Sequence, residues 1–154
     1  MRILCLRVAR RALGLAVLHD DKFEILDGRH LGSDREDAER TVQGYLERFL
    51  TTQHTRGAVL LAPAERYATP TSMLRVVQTL LVKTGVSIRV VHCDEMFQAF
   101  GHPPLKNRQE LQRVAGELLP DASAFRGAAR PYVLEAAALA LYADTLFELL
   151  ARPA

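Results

Sequence analysis

Three short apolar runs, each bounded by polar turn residues, occupy the start of the chain. The runs span Arg2–Val8, Ala12–Leu18 and Lys22–Leu31, and the segments that join them have only the length of a turn. Apolar runs of this length with such short connections are typical of strands that pair with their neighbours in sequence. The pattern therefore predicts an antiparallel meander of three strands.

Helical and extended patterns alternate after the meander. Ser33 and Glu36 fit a capping box, and apolar residues recur at helical spacing behind them, which predicts a first helix. The Thr69-Pro70 pair supplies an N-cap and a first-turn proline for a second helix, which we expect to stop near Gly85. Bounded apolar runs on either side of this helix predict a fourth and a fifth strand, Arg56–Pro63 and Val86–Cys93.

Two more helices complete the predicted order of elements. Asn107 and Glu110 fit the cap of an amphipathic helix that ends at Pro120, and an Ala- and Leu-rich helix extends from about Tyr132 to Leu150. A meander followed by alternating helices and strands predicts an α/β domain, with a mixed sheet between helices on both faces. The handedness of crossovers favours a ribonuclease-H-like, five-stranded sheet, in which two parallel strands extend the three-strand antiparallel meander.

Length and composition fit one globular domain that spans all 154 residues. Hydrophobic residues make up 49% and charged residues 25%, which argues against disorder, and no repeat or linker divides the chain. Cys5 and Cys93 lack metal-ligand spacing, so we expect a reduced protein without structural zinc. Arg7, Arg10 and Arg11 interrupt any secretory signal, and no apolar run is long enough to cross a bilayer. We expect a soluble, cytoplasmic protein that does not contact membranes.

Three short segments carry a resemblance to a known family. The sequence GLAV at Gly14–Val17 follows a first strand and a small turn, and in FGHPPLKNRQELQ a glycine-bearing loop, with Gly101 and Lys106, precedes a helix. In VLEAAALALYA, the acidic Glu135 precedes an Ala/Leu run. These patches resemble the RuvC/YqgF group of ribonuclease-H-like nucleases, which includes Holliday-junction resolvases. The resemblance implies the same fold and a site at the end of the first strand.

The resemblance also implies a metal site that this chain has altered. Nucleases of the group hold two divalent ions with about four carboxylates, and the ions activate water for phosphodiester hydrolysis. Arg7 stands in place of the Asp of the first strand, and Leu61 to Pro63 stand where the fourth strand ends in Glu. Glu65 is nearby but displaced, and Glu135 stands roughly where a family acid would. The resemblance therefore implies a degenerate site.

Arg7 lies inside the first apolar run, where a buried charge needs a partner. One interpretation is a register that points its side chain into solvent from a sheet edge. The other is a buried guanidinium that fills the place of the metal, repels a divalent ion and pairs with Glu135, because its planar fork matches a carboxylate. Glu135 has a simpler explanation too, since an acid near a helix start suits the helix dipole.

The segment HCDE at His92–Glu95 offers further acidic candidates. If the strand continues through it, alternation puts the first and third residues on one face and the second and fourth on the other, so all four cannot converge on a metal. The YqgF group has an Asp-Glu pair after this strand, and the resemblance keeps Asp94 and Glu95 as catalytic candidates beside Glu135. Structural roles for both acids remain the alternative.

Basic residues supply the candidate nucleic-acid contacts. These are Arg7, Arg10 and Arg11 of the first hairpin and Lys106, and Arg2 could join the two turn arginines in one patch. Ordinary solvated positions explain the turn residues and Lys106 equally well. The net charge of +2 permits a locally basic face. Aromatic residues make up only 6% of the chain, with no Trp, so the sequence offers no stacking platform for single strands.

Three functions follow from these features. We favour a catalytically degenerate RuvC-like protein that binds branched or duplex nucleic acid and needs no cofactor. The first alternative is a resolvase-like endonuclease that requires Mg²⁺ or Mn²⁺ and uses Glu135 with Asp94, Glu95 or Glu65 in a rearranged site. The second alternative is a dimeric scaffold for protein interactions.

A homodimer is a separate expectation. Apolar residues at the end of the last helix exceed what one buried face requires, and they are Phe147, Leu149 and Leu150. The dimeric habit of the resolvases that the chain resembles points the same way.

Overall fold

The computed structural model describes residues 2–55, 57–62 and 72–151, with side chains described as far as residue 146. Its strands are β1 (Arg2–Val8), β2 (Ala12–His19), β3 (Lys22–His30), β4 (Gly57–Ala62) and β5 (Ser87–His92). Its helices are α1 (Arg35–Thr52), α2 (Ser72–Lys83), α3 (Cys93–Phe100), α4 (Arg108–Leu118), α5 (Pro120–Ser123) and α6 (Arg130–Ala151). No helix in these ranges is both long and apolar enough to span a membrane.

The five strands form one mixed sheet in the order β3-β2-β1-β4-β5. Strands β1, β2 and β3 pair antiparallel, whereas β4 lies parallel to both β1 and β5. The predicted α/β fold class is therefore confirmed, including the meander and the two parallel strands. Strand β1 lies at the centre of the sheet, so both of its faces are covered by helices.

Two separate cores lie on the two faces of the sheet. Helices α1 and α2 cover the face that includes Leu4, Leu6 and Val8 of β1. Helices α3 to α6 cover the opposite face, which includes Ile3 and Cys5. Because side chains alternate along a strand, the next odd position of β1 also faces α6. That position is occupied by an arginine.

Two glycines bring the start of α6 unusually close to the meander. Gly14 of β2 and Gly28 of β3 are partners in the strand register. A Cβ atom at Gly14 would lie 2.1 Å from the backbone oxygen of Tyr132, and one at Gly28 would lie 2.7 Å from side-chain atoms of Ala129 and Val133. We call this pair the glycine notch. Side chains in the notch would displace α6, so the glycine of the GLAV segment has a packing role.

Several predicted boundaries shift. The N-cap of α1 is Asp34 instead of Ser33, and its carboxylate accepts the backbone N–H of Asp37 at 2.9 Å. Helix α4 has the predicted cap, because Asn107 Oδ1 accepts the N–H of Glu110 at 2.9 Å. The Glu110 carboxylate departs from a capping box, since it accepts the N–H of Lys106 instead of that of the cap residue.

Some helices were not predicted, and some predictions concern residues outside the described ranges. Helix α3 and the short α5 were not predicted, and α6 begins at Arg130, two residues before its predicted start. The predicted Thr69-Pro70 helix start, Glu65, and the outer residues Arg56 and Pro63 of the fourth strand lie outside the described residues. The side chains of Phe147, Leu149 and Leu150 do too, so the homodimer stays a prediction.

Candidate functional site

The site is centred on a buried ion pair between β1 and α6. Arg7 lies opposite Gly14 of β2 and Leu61 of β4 in the sheet register. Its Nε donates to Oε1 of Glu135 at 3.4 Å, and its Nη1 donates to the backbone oxygen of Val8 at 2.6 Å. Both charged side chains are buried. The interpretation that points Arg7 into solvent is therefore wrong, and the guanidinium faces the helix that carries the acid.

Burial dominates the electrostatics of Glu135. Desolvation raises the pKa of this carboxyl, and the positive charges of Arg7 and Arg108 only partly oppose the rise. Its second oxygen, Oε2, is buried and has no hydrogen-bond partner among the described residues. Arg7 is the leading group that favours the charged form of Glu135, ahead of Arg108 and of a hydrogen bond with Gln112, but together they do not offset the loss of water.

A cavity of about 380 Å³ opens beside the ion pair. The β1–β2 turn, the start of α4 and the start of α6 line it with Arg7, Val8, Ala9, Arg10, Arg11, Arg108 and Tyr132. Four of these residues are arginines, and none of the described lining residues is acidic. The ring of Tyr132 has its centroid 6.0 Å from the Arg7 Cζ, within reach of a cation–π contact. We call this space the arginine cavity.

The predicted acids near β5, Asp94 and Glu95, lie in the first turn of α3. Residues Cys93 to Glu95 begin a helix, so the expectation that strand alternation continues through them is wrong. Glu95 accepts the N–H of His92 at 3.5 Å and the hydroxyl of Tyr142 at 3.0 Å, which ties α3 to α6. Asp94 is half-buried, and its Oδ1 has no partner among the described residues.

These side chains do not fit a divalent ion. Within residues 2–55, 57–62 and 72–146, no group of three or more His, Cys, Asp or Glu side chains could hold a metal. The resemblance places the central ligand of the nucleases at Arg7, which contributes a positive charge and no acceptor. The pKa of the neighbouring Cys93 is raised by burial, which disfavours a thiolate ligand.

The predicted basic patch divides between the two ends of β1. Arg10 and Arg11 line the arginine cavity, but Arg2 lies at the opposite end of the strand, where its Nε contacts Glu24 at 2.9 Å. A patch that joins Arg2 to the turn arginines is therefore wrong, because a strand holds its two ends apart. Lys106 is exposed and is not among the lining residues of the cavity.

Two lining residues whose side chains could contact a ligand, Arg108 and Tyr132, were not predicted from the sequence. Arg108 is the first residue of α4, directly behind the Asn107 cap, and Tyr132 lies in the first turn of α6. The cap identified the start of α4, and a cation one position into a helix next to a candidate site was a usable signal. The sequence carries no comparable signal for Tyr132, because the position of this residue follows from the packing of α6 on the glycine notch.

Comparisons with known proteins agree on the fold. No family model and no curated protein matches the chain. Among solved structures, the RuvC of T. thermophilus in complex with Holliday junction substrate has a TM-score of 0.67 at 13% identity, over 94% of this chain and 96% of that one. A Fowlpox virus resolvase with Holliday junction DNA has a TM-score of 0.55 at 11% identity, over 92% and 99%. The chain therefore has the ribonuclease-H-like fold of these resolvases.

Proposed function

We propose that this protein binds branched or duplex nucleic acid through backbone phosphates and does not cleave it. The observation that carries the proposal is the buried Arg7–Glu135 pair beside the arginine cavity. One end of the sheet thereby combines a fixed positive charge with a concave surface. The two resolvases of the same fold bind junction DNA, which supports nucleic acid as the partner.

The guanidinium of Arg7 opposes a catalytic metal on electrostatic grounds. A unit positive charge about 4 Å from a divalent ion raises its energy by roughly 8 kcal/mol at an effective dielectric of 20, before any offset from Glu135. Even half of that energy weakens metal affinity by about three orders of magnitude. The free energy of metal binding therefore argues against the metal-dependent nuclease.

The same charge favours phosphate. Guanidinium groups donate paired hydrogen bonds that match phosphate oxygens, and they keep their charge at every physiological pH. Arg10, Arg11 and Arg108 are exposed around the arginine cavity, so a duplex backbone can reach them without unfolding the hairpin. Contacts of this kind fix the position of a duplex without selecting its sequence.

Binding across a salt series tests the proposal. If three phosphates are neutralised, affinity for a four-way junction or a duplex should fall roughly fortyfold between about 50 and 200 mM salt. Arg108→Ala should lower affinity and make the salt slope shallower by about one unit. Arg113→Ala is the matched control, because Arg113 is exposed on the same helix and pairs with Glu117 away from the cavity.

Cleavage and calorimetry complete the test. We expect no product from junction or linear substrates with Mg²⁺ or Mn²⁺, and no heat of metal binding at millimolar concentration. Cleavage that Glu135→Gln abolishes, together with metal binding, would replace the proposal with the endonuclease alternative. Failure to bind either nucleic acid at low salt would favour the scaffold.

A further inference from the structure

We propose that the arginine cavity selects a terminal phosphate group at a strand end or nick over the internal phosphates of a continuous strand. This inference rests on the proposed function and specifies the part of the nucleic acid that the cavity takes.

Arg7 retains one donor group for an occupant. Its Nε is engaged by Glu135 and its Nη1 by the backbone oxygen of Val8. Its Nη2 donates to no described residue, although the side chain is buried and forms part of the cavity wall. A buried guanidinium with an unused donor is a fixed site, because the ion pair and the backbone contact hold its orientation.

The charge of the lining matches a dianion better than a monoanion. A phosphate monoester carries about −1.5 to −2 at neutral pH and presents three free oxygens. An internal phosphodiester carries a single negative charge and two free oxygens. Arg10, Arg11 and Arg108 stand around the buried Arg7, and none of the described lining residues is acidic. Glu135 behind the wall interacts electrostatically with Arg7 and Arg108, and its single charge leaves the four arginines with a positive surplus. The additional charge and oxygen of a monoester therefore find donors that a diester leaves unused.

The shape of the cavity favours a chain end. Arg7 is buried at the wall of a concave space of about 380 Å³, while the three other arginines are exposed, so a group that contacts Arg7 has to enter this space. A terminal phosphate is attached to one sugar and can enter such a space, whereas an internal phosphate carries a sugar on each side. Tyr132 offers a ring at the wall against which the terminal nucleotide can pack.

Dumbbell DNAs with matched sequence test the inference. The probes are a closed dumbbell, a nicked dumbbell with hydroxyl ends, and nicked dumbbells with one phosphate at the 5′ or the 3′ side of the nick. We expect one of the phosphorylated nicks to bind about tenfold tighter than the hydroxyl nick, as one additional charge-assisted hydrogen bond would provide. Arg108→Ala should remove this preference, and Arg113→Ala should retain it.

The outcomes separate the inference from the function on which it rests. Equal affinity for all four dumbbells overturns the terminal-phosphate inference and leaves nucleic-acid binding in place. No binding to any dumbbell overturns both. A phosphate preference that survives Arg108→Ala also contradicts the inference, since the cavity would then not be its source.

Discussion

Strand β1 carries an Arg–Glu pair at each end, and the two pairs differ in burial more than in geometry. Near the carboxyl end, the side chains of Arg7 and Glu135 are 5% and 1% exposed, and their charged atoms are 3.4 Å apart. At the amino end, those of Arg2 and Glu24 are 30% and 38% exposed and only 2.9 Å apart. The shorter contact is the more exposed one, and solvent screens it. Burial, more than distance, decides how much stability is lost when one partner of a pair is removed.

The surroundings of the two ends differ as well. His19 and Gln53 also form hydrogen bonds with the Arg2–Glu24 pair, and the two charges of the pair offset each other. The opposite end has three further arginines around the cavity and no described acid in its lining. Of the two ends, only this one has a surplus of positive charge among the described residues, and it is where we propose that the phosphate binds.

Arg7→Ala should have the largest effect on stability. It leaves the Glu135 carboxylate buried without its counter-ion, and breaking a buried pair in this way costs about 3–5 kcal/mol of unfolding free energy. Urea unfolding followed by circular dichroism measures the loss. A change under about 1 kcal/mol would show that the burial of the two pairs does not separate them energetically.

Gly14→Ala tests whether the stability of the Arg7–Glu135 end of β1 depends on the close packing of α6 against Gly14. The added Cβ would meet the Tyr132 backbone at 2.1 Å, so α6 must move, and overpacking of this kind costs about 1–3 kcal/mol. Gly44→Ala is the control, because Gly44 lies inside α1 and its nearest neighbour is the end of the Arg48 side chain at 3.5 Å. The control should gain about 0.5–1 kcal/mol from helix propensity. Equal changes in unfolding free energy for the two variants would show that the close packing of α6 on Gly14 does not contribute to stability.

Removing both charges should cost less than removing one. Replacing a buried ion pair by apolar residues of similar volume is often neutral or stabilising, since the desolvation of both ions is avoided. We expect the double variant Arg7→Met, Glu135→Leu to unfold within about 1 kcal/mol of the wild type. Losses that add up to the sum of the two single variants would mean that the pair is not coupled.

The pH dependence should have opposite signs at the two ends. Burial raises the pKa of Glu135 in the folded state, so the stability that it contributes is present at acidic pH and is lost as pH rises through the raised value. The hydrogen bond from His19 leads the causes that lower the pKa of Glu24, so its contribution is present at neutral pH and is lost as pH falls.

The variants Glu135→Gln and Glu24→Gln isolate the pH-dependent contributions of the two carboxyl groups to stability. With rising pH, the first variant should gain stability relative to the wild type, and the second should lose it. Unfolding free energies from urea titrations between pH 3 and 7 give both trends. Parallel trends would contradict the contrast between a buried and an exposed carboxyl.

Arg2→Ala should have the smallest effect. An exposed ion pair contributes about 0–1 kcal/mol, and salt screens it. Thermal unfolding at low and high ionic strength should therefore show a minor loss that shrinks with added salt. A loss that matches the one from Arg7→Ala would abolish the distinction between the two ends.

The sheet could be predicted well from the sequence, because its strands correspond to local patterns of apolar and turn residues. Apolar runs, turn-length connections and the Asn107 cap identified every described strand and the start of α4. The opposition of Arg7 to Glu135 followed from the resemblance, which supplied a contact between residues 128 positions apart. Local patterns failed at Cys93 to Glu95, where an apolar strand runs directly into α3 without a break. They also gave no sign of Tyr132 at the cavity, because that placement depends on tertiary packing.

The glycine notch also bears on the order in which the molecule can assemble. The meander can pair its strands early, since its turns are short and loop closure costs little entropy. Its α6-facing side stays open until a segment far along the chain returns to sit on Gly14 and Gly28. Contacts of such sequence separation slow folding. We therefore expect the ion pair and the cavity to form only when α6 closes that face, since a folded meander by itself lacks Glu135 and Tyr132.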